Sequence, residues 1–530
     1  MVSSLHGLYE SALAAFDRGE WQQAHALGER LIEGGRDDAE LRFVVGASAL
    51  QLGNVPAAIP HLRRGTELTP QRADLASQLA RALVMAGLWR EAVAVADAGM
   101  ALQRLDPSSC ATFGVVYVQA NLHDRATDAF SRAVVMAPDN PGYRFNLATS
   151  LMFDGQFDAA ERECAQCIAL NPHSWRAFLL RSQLRRQKPD SNHIDELGRV
   201  LARSAGNPEA ELHLRLALSK EFEDVGRYDE AFDQLARGKA VHRRHVAYDS
   251  ARDAKDIRAL MRGFEGCVGQ GAGCQSGEPI FVLGMPRSGT TLTDRVLSAH
   301  PEVQSAGELE NFEVALRREV GLGAGSHEAL ADVLMGAQLD WSRLGQRYLD
   351  STRPTTGASP RFVDKMPHNF LFLGFIARAL PNATIVLVKR DPMDACLSNF
   401  RQLFAPGMPR FDYSYDLLDV GRYYLLFEEM IDFWRARLPG RVHEVQYEDL
   451  VREQVPFTRG LLAACGLAWD DACLSPEKSR ASISTASAVQ LRAPINDASI
   501  GRWRRYGARM DALRRLLVDG GIAVPADAAP

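Results

Sequence analysis

The chain has 530 residues, 46% of them hydrophobic and 24% charged, with a formal net charge of -5. That length exceeds one ordinary core and implies two to four domains, while the mildly acidic balance excludes an extended nucleic-acid surface. Any anion site must therefore be local. The first residues, MVSSLHGLYESALAAFDRGEW, lack a basic segment followed by an apolar one, and no later stretch is apolar for long enough to span a bilayer. A cytoplasmic location is the expectation.

Self-similarity dominates the first half. Gly19, Gly53, Gly87, Asn121 and Gly155 recur every 34 residues, and five positions after each stands Ala24, Ala58, Ala92, Ala126 or Ala160. Trp21, Val55, Trp89, His123 and Phe157 follow the same positions by two; Gly46, Ala80, Gly114 and Ala148 precede the last four by seven. Pro70, Pro138 and Pro172 close some of the units. Small residues where two helices cross, an apolar plug and a terminal proline are what a stacked helix-turn-helix unit requires. The pattern resembles the tetratricopeptide repeat. A stretch around RRQKPDSNHIDEL is irregular, and a further unit returns at Gly226, Tyr228 and Ala231 with a register shift of three. About six units and a terminal cap are expected over residues 1–250, a helical solenoid of the kind whose concave face docks peptides or a protein partner.

Residues 251–278 read as a linker, ending in the Gly-rich GCVGQGAGCQSGEP. The eight cysteines include a lone CxxC, Cys164 and Cys167, inside a helical pattern, and Cys267 and Cys274 around the linker. No second pair stands at zinc spacing, so no metal is expected. From residue 279 to 530 the texture becomes α/β. PIFVLG, RFVDK, TIVLVKR and RVHEVQY read as strands, separated by amphipathic helical stretches, which predicts a mostly parallel sheet covered on both faces. In such a sheet the ligand lies beyond the carboxyl ends of the strands.

The first of those ends carries GMPRSGTT, residues 284–291. Gly284, Gly289 and Thr291 fit a nucleotide-binding loop, but Thr290 stands where its lysine should be. Strand, Gly-rich turn and helix start still converge backbone N–H groups on one concavity, and Arg287, Ser288, Gly289, Thr290 and Thr291 supply a guanidinium, hydroxyls and amides for an anion. In TIVLVKRD two cations, Lys389 and Arg390, precede the acid that would hold magnesium in a kinase. A site that neutralises its nucleotide with arginine suits sulfuryl transfer. Arg390 at a strand end can grip a phosphate bidentately, with Ser398 two helical turns on.

PRSGTTL followed by HPEV and GE, together with VKRDPMDACLSNF, resembles the donor-binding segments of sulfotransferases, the tyrosylprotein branch in particular. The resemblance covers roughly residues 279–510. It implies 3′-phosphoadenosine 5′-phosphosulfate as donor, with the 284–291 loop on its 5′-phosphosulfate and Arg390 and Ser398 on its 3′-phosphate. It also implies a catalytic carboxylate in SAGELENF, Glu308 or Glu310, with Glu308 favoured by its spacing from Arg287. Lys365 in VDKMPHNF matches the family lysine at the bridging oxygen, and His368 is a rival base. Tyr447 in VQYEDLV and Ser499 and Arg502 in TASAVQLRAPINDASIGRWRRY match segments that close over the nucleotide. The expected activity is sulfuryl transfer to an acceptor hydroxyl, a protein tyrosine being favoured. A repeat scaffold with a catalytically silent nucleotide pocket and a P-loop kinase are the alternatives.

Overall fold

The computed structural model of the chain describes residues 2–353, 356–357, 359–405, 407–478 and 494–524. They form two compact units, Met1–Ser174 and Trp175–Pro530.

The first unit is a series of antiparallel helical pairs, from Val2–Asp17 with Trp21–Glu33 to Pro141–Phe153 with Phe157–Leu170. The 34-residue marker is the turn inside each pair. Gly19, Gly53, Gly87 and Gly155 have φ between 71° and 79°, and Asn121 has φ 58°. That left-handed conformation costs glycine nothing and is tolerated by asparagine, so the one departure from glycine keeps the turn. Ala24, Ala58, Ala92, Ala126 and Ala160 are fully buried. A Cβ on Gly46 would come within 2.6 Å of Leu62, and one on Gly114 within 2.5 Å of Phe130, so these small residues set how closely the paired helices approach.

The second unit begins with more helical pairs. The irregular stretch lengthens the link between Trp175–Gln183 and Ile194–Arg203; Pro208–Asp224 and Tyr228–Arg243 then pair through Gly226, φ 84°. Where the sequence reading placed a linker, residues Ser250–Gly266 form a helix, and Val268–Gln270 (β1) pairs in parallel with Gln338–Asp340 (β4). By compactness the chain divides at Ser174/Trp175, not after residue 250, because the 208–266 helices are built into the α/β core. Lys239 is fully buried and donates to the carbonyls of Gln402 (2.5 Å) and Ser414 (3.1 Å). Arg243 pairs with Asp419 at 3.1 Å, and Phe232 packs against Phe400 and Tyr506.

The α/β core is a five-stranded parallel sheet: β2 (Pro279–Gly284), β3 (Val303–Ser305), β5 (Arg361–Asp364), β6 (Thr384–Lys389) and β7 (His443–Gln446), in the spatial order β3-β5-β2-β6-β7. The central β2 is buried along its whole length, as its unbroken apolar run demands, whereas the edge strand β7 is half exposed and polar. Alternate residues of β2 serve the two faces. Ile280 and Val282 join Val296, Leu297, Val386 and Leu462, while Phe281 meets Phe312 and Tyr348 on the other side.

Candidate active site

Each of the five strands delivers a polar residue to the same edge of the sheet, and the strand order sets their sequence in space: Glu308 after β3, Lys365 after β5, the 284–291 loop after β2, Arg390 after β6 and Tyr447 after β7.

The loop is shaped by its backbone. Gly284 (φ 149°), Arg287 (φ 67°) and Gly289 (φ 107°) turn the chain back to the helix Thr290–Ser298, whose N-cap Gly289 offers no side chain to the first-turn amides. A Cβ on Gly284 would lie 2.4 Å from the Val388 carbonyl oxygen, and one on Gly289 2.5 Å from the Tyr447 ring. Both glycines are therefore required by close approach as well as by φ. Ser288 is buried, and among the described residues its Oγ has no hydrogen-bond partner. An orphaned hydroxyl beside uncapped amides is what an anion-binding loop retains for its ligand.

Lys365 and Glu308 meet beside this loop. Lys365 is 1% exposed, and its Nζ donates to Glu308 Oε1 at 2.5 Å; the Lys365 amide bonds the Gly307 carbonyl at 2.9 Å and fixes the two strand ends together. Behind them lies Asp294 of the loop helix, bonded by Ser305 at 2.9 Å, with burial pushing its carboxyl up to about 6. Asp364 takes hydrogen bonds from Tyr348 (2.7 Å) and Asn369 (3.4 Å), and burial pushes it up to about 7. The rival carboxylate Glu310 is turned away to Arg410. His368 sits between the rings of Phe370 and Phe411, its imidazole driven down to about 3 by burial, with no partner for Nε2 among the described residues. It is neutral at physiological pH.

On the other side of the loop the structure gathers arginines. Arg390 donates to the Arg287 carbonyl (3.1 Å), to Ser398 Oγ (3.4 Å) and to the Ser499 carbonyl (2.6 Å), and its guanidinium lies 4.8 Å from the Tyr447 ring centroid. Ser499 thus contributes its backbone here. Burial, then the charges of Arg390, Arg401 and Arg502, pushes the Arg287 guanidinium down to about 10. A region where cations destabilise one another is one an incoming anion stabilises. Lys389 turns away to Glu428 (2.7 Å), and Asp391 caps the helix Pro392–Arg401 by accepting the Asp394 amide (3.0 Å), so the acid of the KRD run serves the fold.

Three contributors escaped the sequence reading. Asp394 accepts the amides of Gly501 (2.6 Å) and Trp503 (3.0 Å), which fastens the C-terminal segment over Arg390. Arg401 and Arg502 share Glu223, Arg502 at 3.2 Å. Nothing local in the sequence marks these pairings, which join residues more than a hundred positions apart. The first part of the C-terminal segment, residues 485–493, lies outside the described residues.

A parallel sheet that places a Gly-rich loop, an acid–lysine pair and an arginine cluster at its carboxyl edge is an α/β domain with its polar side chains gathered where such sheets carry their sites. Comparison with known proteins is specific about the class. Residues 279–471 match the sulfotransferase family, and residues 9–73 and 46–109 match the tetratricopeptide repeat, so the chain carries repeats of that type and a sulfotransferase-family domain. An uncharacterized protein of Aquifex aeolicus is 29% identical over 76% of this chain and 54% of its own length. The protein-tyrosine sulfotransferase of Drosophila melanogaster is 25% identical over 42% of this chain and 46% of its own. The chain therefore spans about half the length of these two relatives. A thermophilic repeat protein of Thermus thermophilus aligns in structure with 18% identity over 34% of this chain and 98% of its own, with a TM-score of 0.29.

Proposed function

We propose that the α/β domain moves a sulfuryl group from 3′-phosphoadenosine 5′-phosphosulfate to an acceptor hydroxyl. Arg287, Ser288, Gly289, Thr290 and Thr291 would hold the 5′-phosphosulfate; Arg390 and Ser398 the 3′-phosphate, with Tyr447, Ser499 and Arg502 at its margin. The orphaned Ser288 hydroxyl, the two glycines that leave no room for a Cβ, and the crowded guanidiniums support a polyanionic nucleotide. In the reaction the acceptor oxygen bonds to sulfur as the bond from sulfur to the bridging oxygen breaks. Glu308 takes the acceptor proton, and Lys365 meets the charge that develops on the departing phosphate.

The observation that carries this reading is the Lys365–Glu308 contact at 2.5 Å, at the ends of neighbouring strands and beside the loop. It joins a proton acceptor and a cation at one point. Glu310 pairs with Arg410 instead of Lys365, and His368 is enclosed by aromatic rings. A protein or peptide tyrosine is the acceptor favoured: matched relatives carry the name protein-tyrosine sulfotransferase, and the repeats belong to a type suited to recruiting a protein partner. The test is transfer of radiolabelled sulfate from the donor into lysate fractions. Label in protein, recovered as sulfotyrosine, is the expected result; label in glycan or lipid would overturn the acceptor, and neither label nor release of adenosine 3′,5′-bisphosphate would overturn the activity.

A further inference from the structure

Glu223 lies at the end of the helix Pro208–Asp224, in the helical pair ahead of the sulfotransferase-family match. Its side chain is 5% exposed and its carboxylate faces two guanidiniums, those of Arg401 and Arg502. Arg401 ends the helix Pro392–Arg401, which also carries Ser398 and Asp394. Arg502 follows the turn that Asp394 fastens through Gly501 and Trp503. One buried carboxylate therefore ties together the far end of the phosphate-facing helix and the C-terminal segment above it. Two guanidiniums drawn to the same place would otherwise repel, and Arg287 registers both of their charges.

We propose that Glu223 is a positioning residue of the donor's 3′-phosphate site, supplied by the helical pair and acting through Arg401 and Arg502; this rests on the donor reading above. The carboxylate fixes the two arginines, whose charges act on Arg287 together with that of Arg390, so the 3′-phosphate meets an ordered set of donors. The helical pair Pro208–Arg243, built into the second unit, is on this reading part of the active site.

The probes are adenosine 3′,5′-bisphosphate and 5′-AMP, which differ in the 3′-phosphate, with binding measured by calorimetry on the full chain. The wild-type protein is expected to prefer the bisphosphate. Glu223→Gln is expected to cut that preference at least about 10-fold, and to raise the donor KM far more than it lowers kcat. Glu223→Asp keeps the charge with a shorter reach and should give an intermediate preference. Arg243→Gln removes a different ion pair from the same helical pair and should leave the preference intact. Melting curves confirm that each variant is folded. An unchanged preference in both Glu223 variants, or an equal loss for the two nucleotides, overturns the role of Glu223. Absence of any preference in the wild-type protein overturns the donor reading as well.

Discussion

Lys365→Met removes an amine from the end of β5 while keeping most of the volume of the lysine stem. Lys365 is 1% exposed, but the Glu308 side chain it binds is 45% exposed. Loss of the amine therefore leaves a carboxylate that water can solvate, and the folding cost should be about 1 kcal/mol, nearer a surface pair than a sealed one. Catalysis should lose much more, because the developing charge on the leaving phosphate is met only in the transition state. Removing such a group costs about 10²–10³ in kcat, or roughly 3–4 kcal/mol. The assay follows release of adenosine 3′,5′-bisphosphate at saturating donor, beside calorimetric binding of the same nucleotide and a melting curve. The expected outcome is a kcat lower by that factor, nucleotide binding within about 3-fold of wild type, and a nearly unchanged melting temperature. Turnover close to wild type would refute the role of Lys365, and binding lost in proportion to turnover would move that role from the transition state to the ground state.

Glu308→Gln should lower kcat by about 10²–10⁴ with little effect on donor affinity, whereas Glu310→Gln, which breaks an exposed pair with Arg410, should stay within a few-fold; equal losses would reopen the choice of base. Gly289→Ala puts a β-carbon into the Tyr447 ring at a backbone with φ 107°, and should cost about 2–4 kcal/mol of stability and most nucleotide binding, read by urea unfolding and calorimetry. Asp364 is held near 7 by burial, above its unfolded value, so its contribution to stability is full below about pH 4 and declines as pH rises toward 7. Asp364→Asn imitates the protonated acid; wild type should lose stability relative to this variant between pH 5 and pH 8, by up to about 3 kcal/mol, and a constant difference in urea midpoints would refute it.

The parts of the molecule that the sequence announces are those specified locally. A left-handed turn leaves a glycine or asparagine every 34 residues, and a buried central strand leaves an unbroken apolar run such as PIFVLG. Arg287, Lys365 and Arg390 were legible for the same reason: each follows a recognisable strand, and a strand end in a parallel sheet is a place in space as well as in sequence. Ser499 meets Arg390 through its carbonyl, a contact that its residue type does not announce. Glu223, Arg401 and Asp394 carry no such mark, because their meaning lies in pairs more than a hundred residues apart, without a periodic pattern to mark either member. The strand Val268–Gln270 was hidden inside glycines that looked like a linker; Gly269 is there because a Cβ would strike the Trp341 ring.

The strand order also fixes a length. Neighbouring strands run about 4.8 Å apart, so the ends of β3 and β7 are separated by roughly 19 Å, with a different chemical contact offered at each step. A ligand lying across that edge is measured as if against a ruler, from the strand end that carries Glu308 past the 284–291 loop to the one that carries Arg390. Short pieces of the donor should then occupy separate divisions of it: inorganic sulfate or phosphate at the 284–291 loop, and a 3′-phosphorylated nucleoside toward Arg390. Two such fragments would bind side by side without competing, and a linked molecule of the right span would bind far more tightly than either.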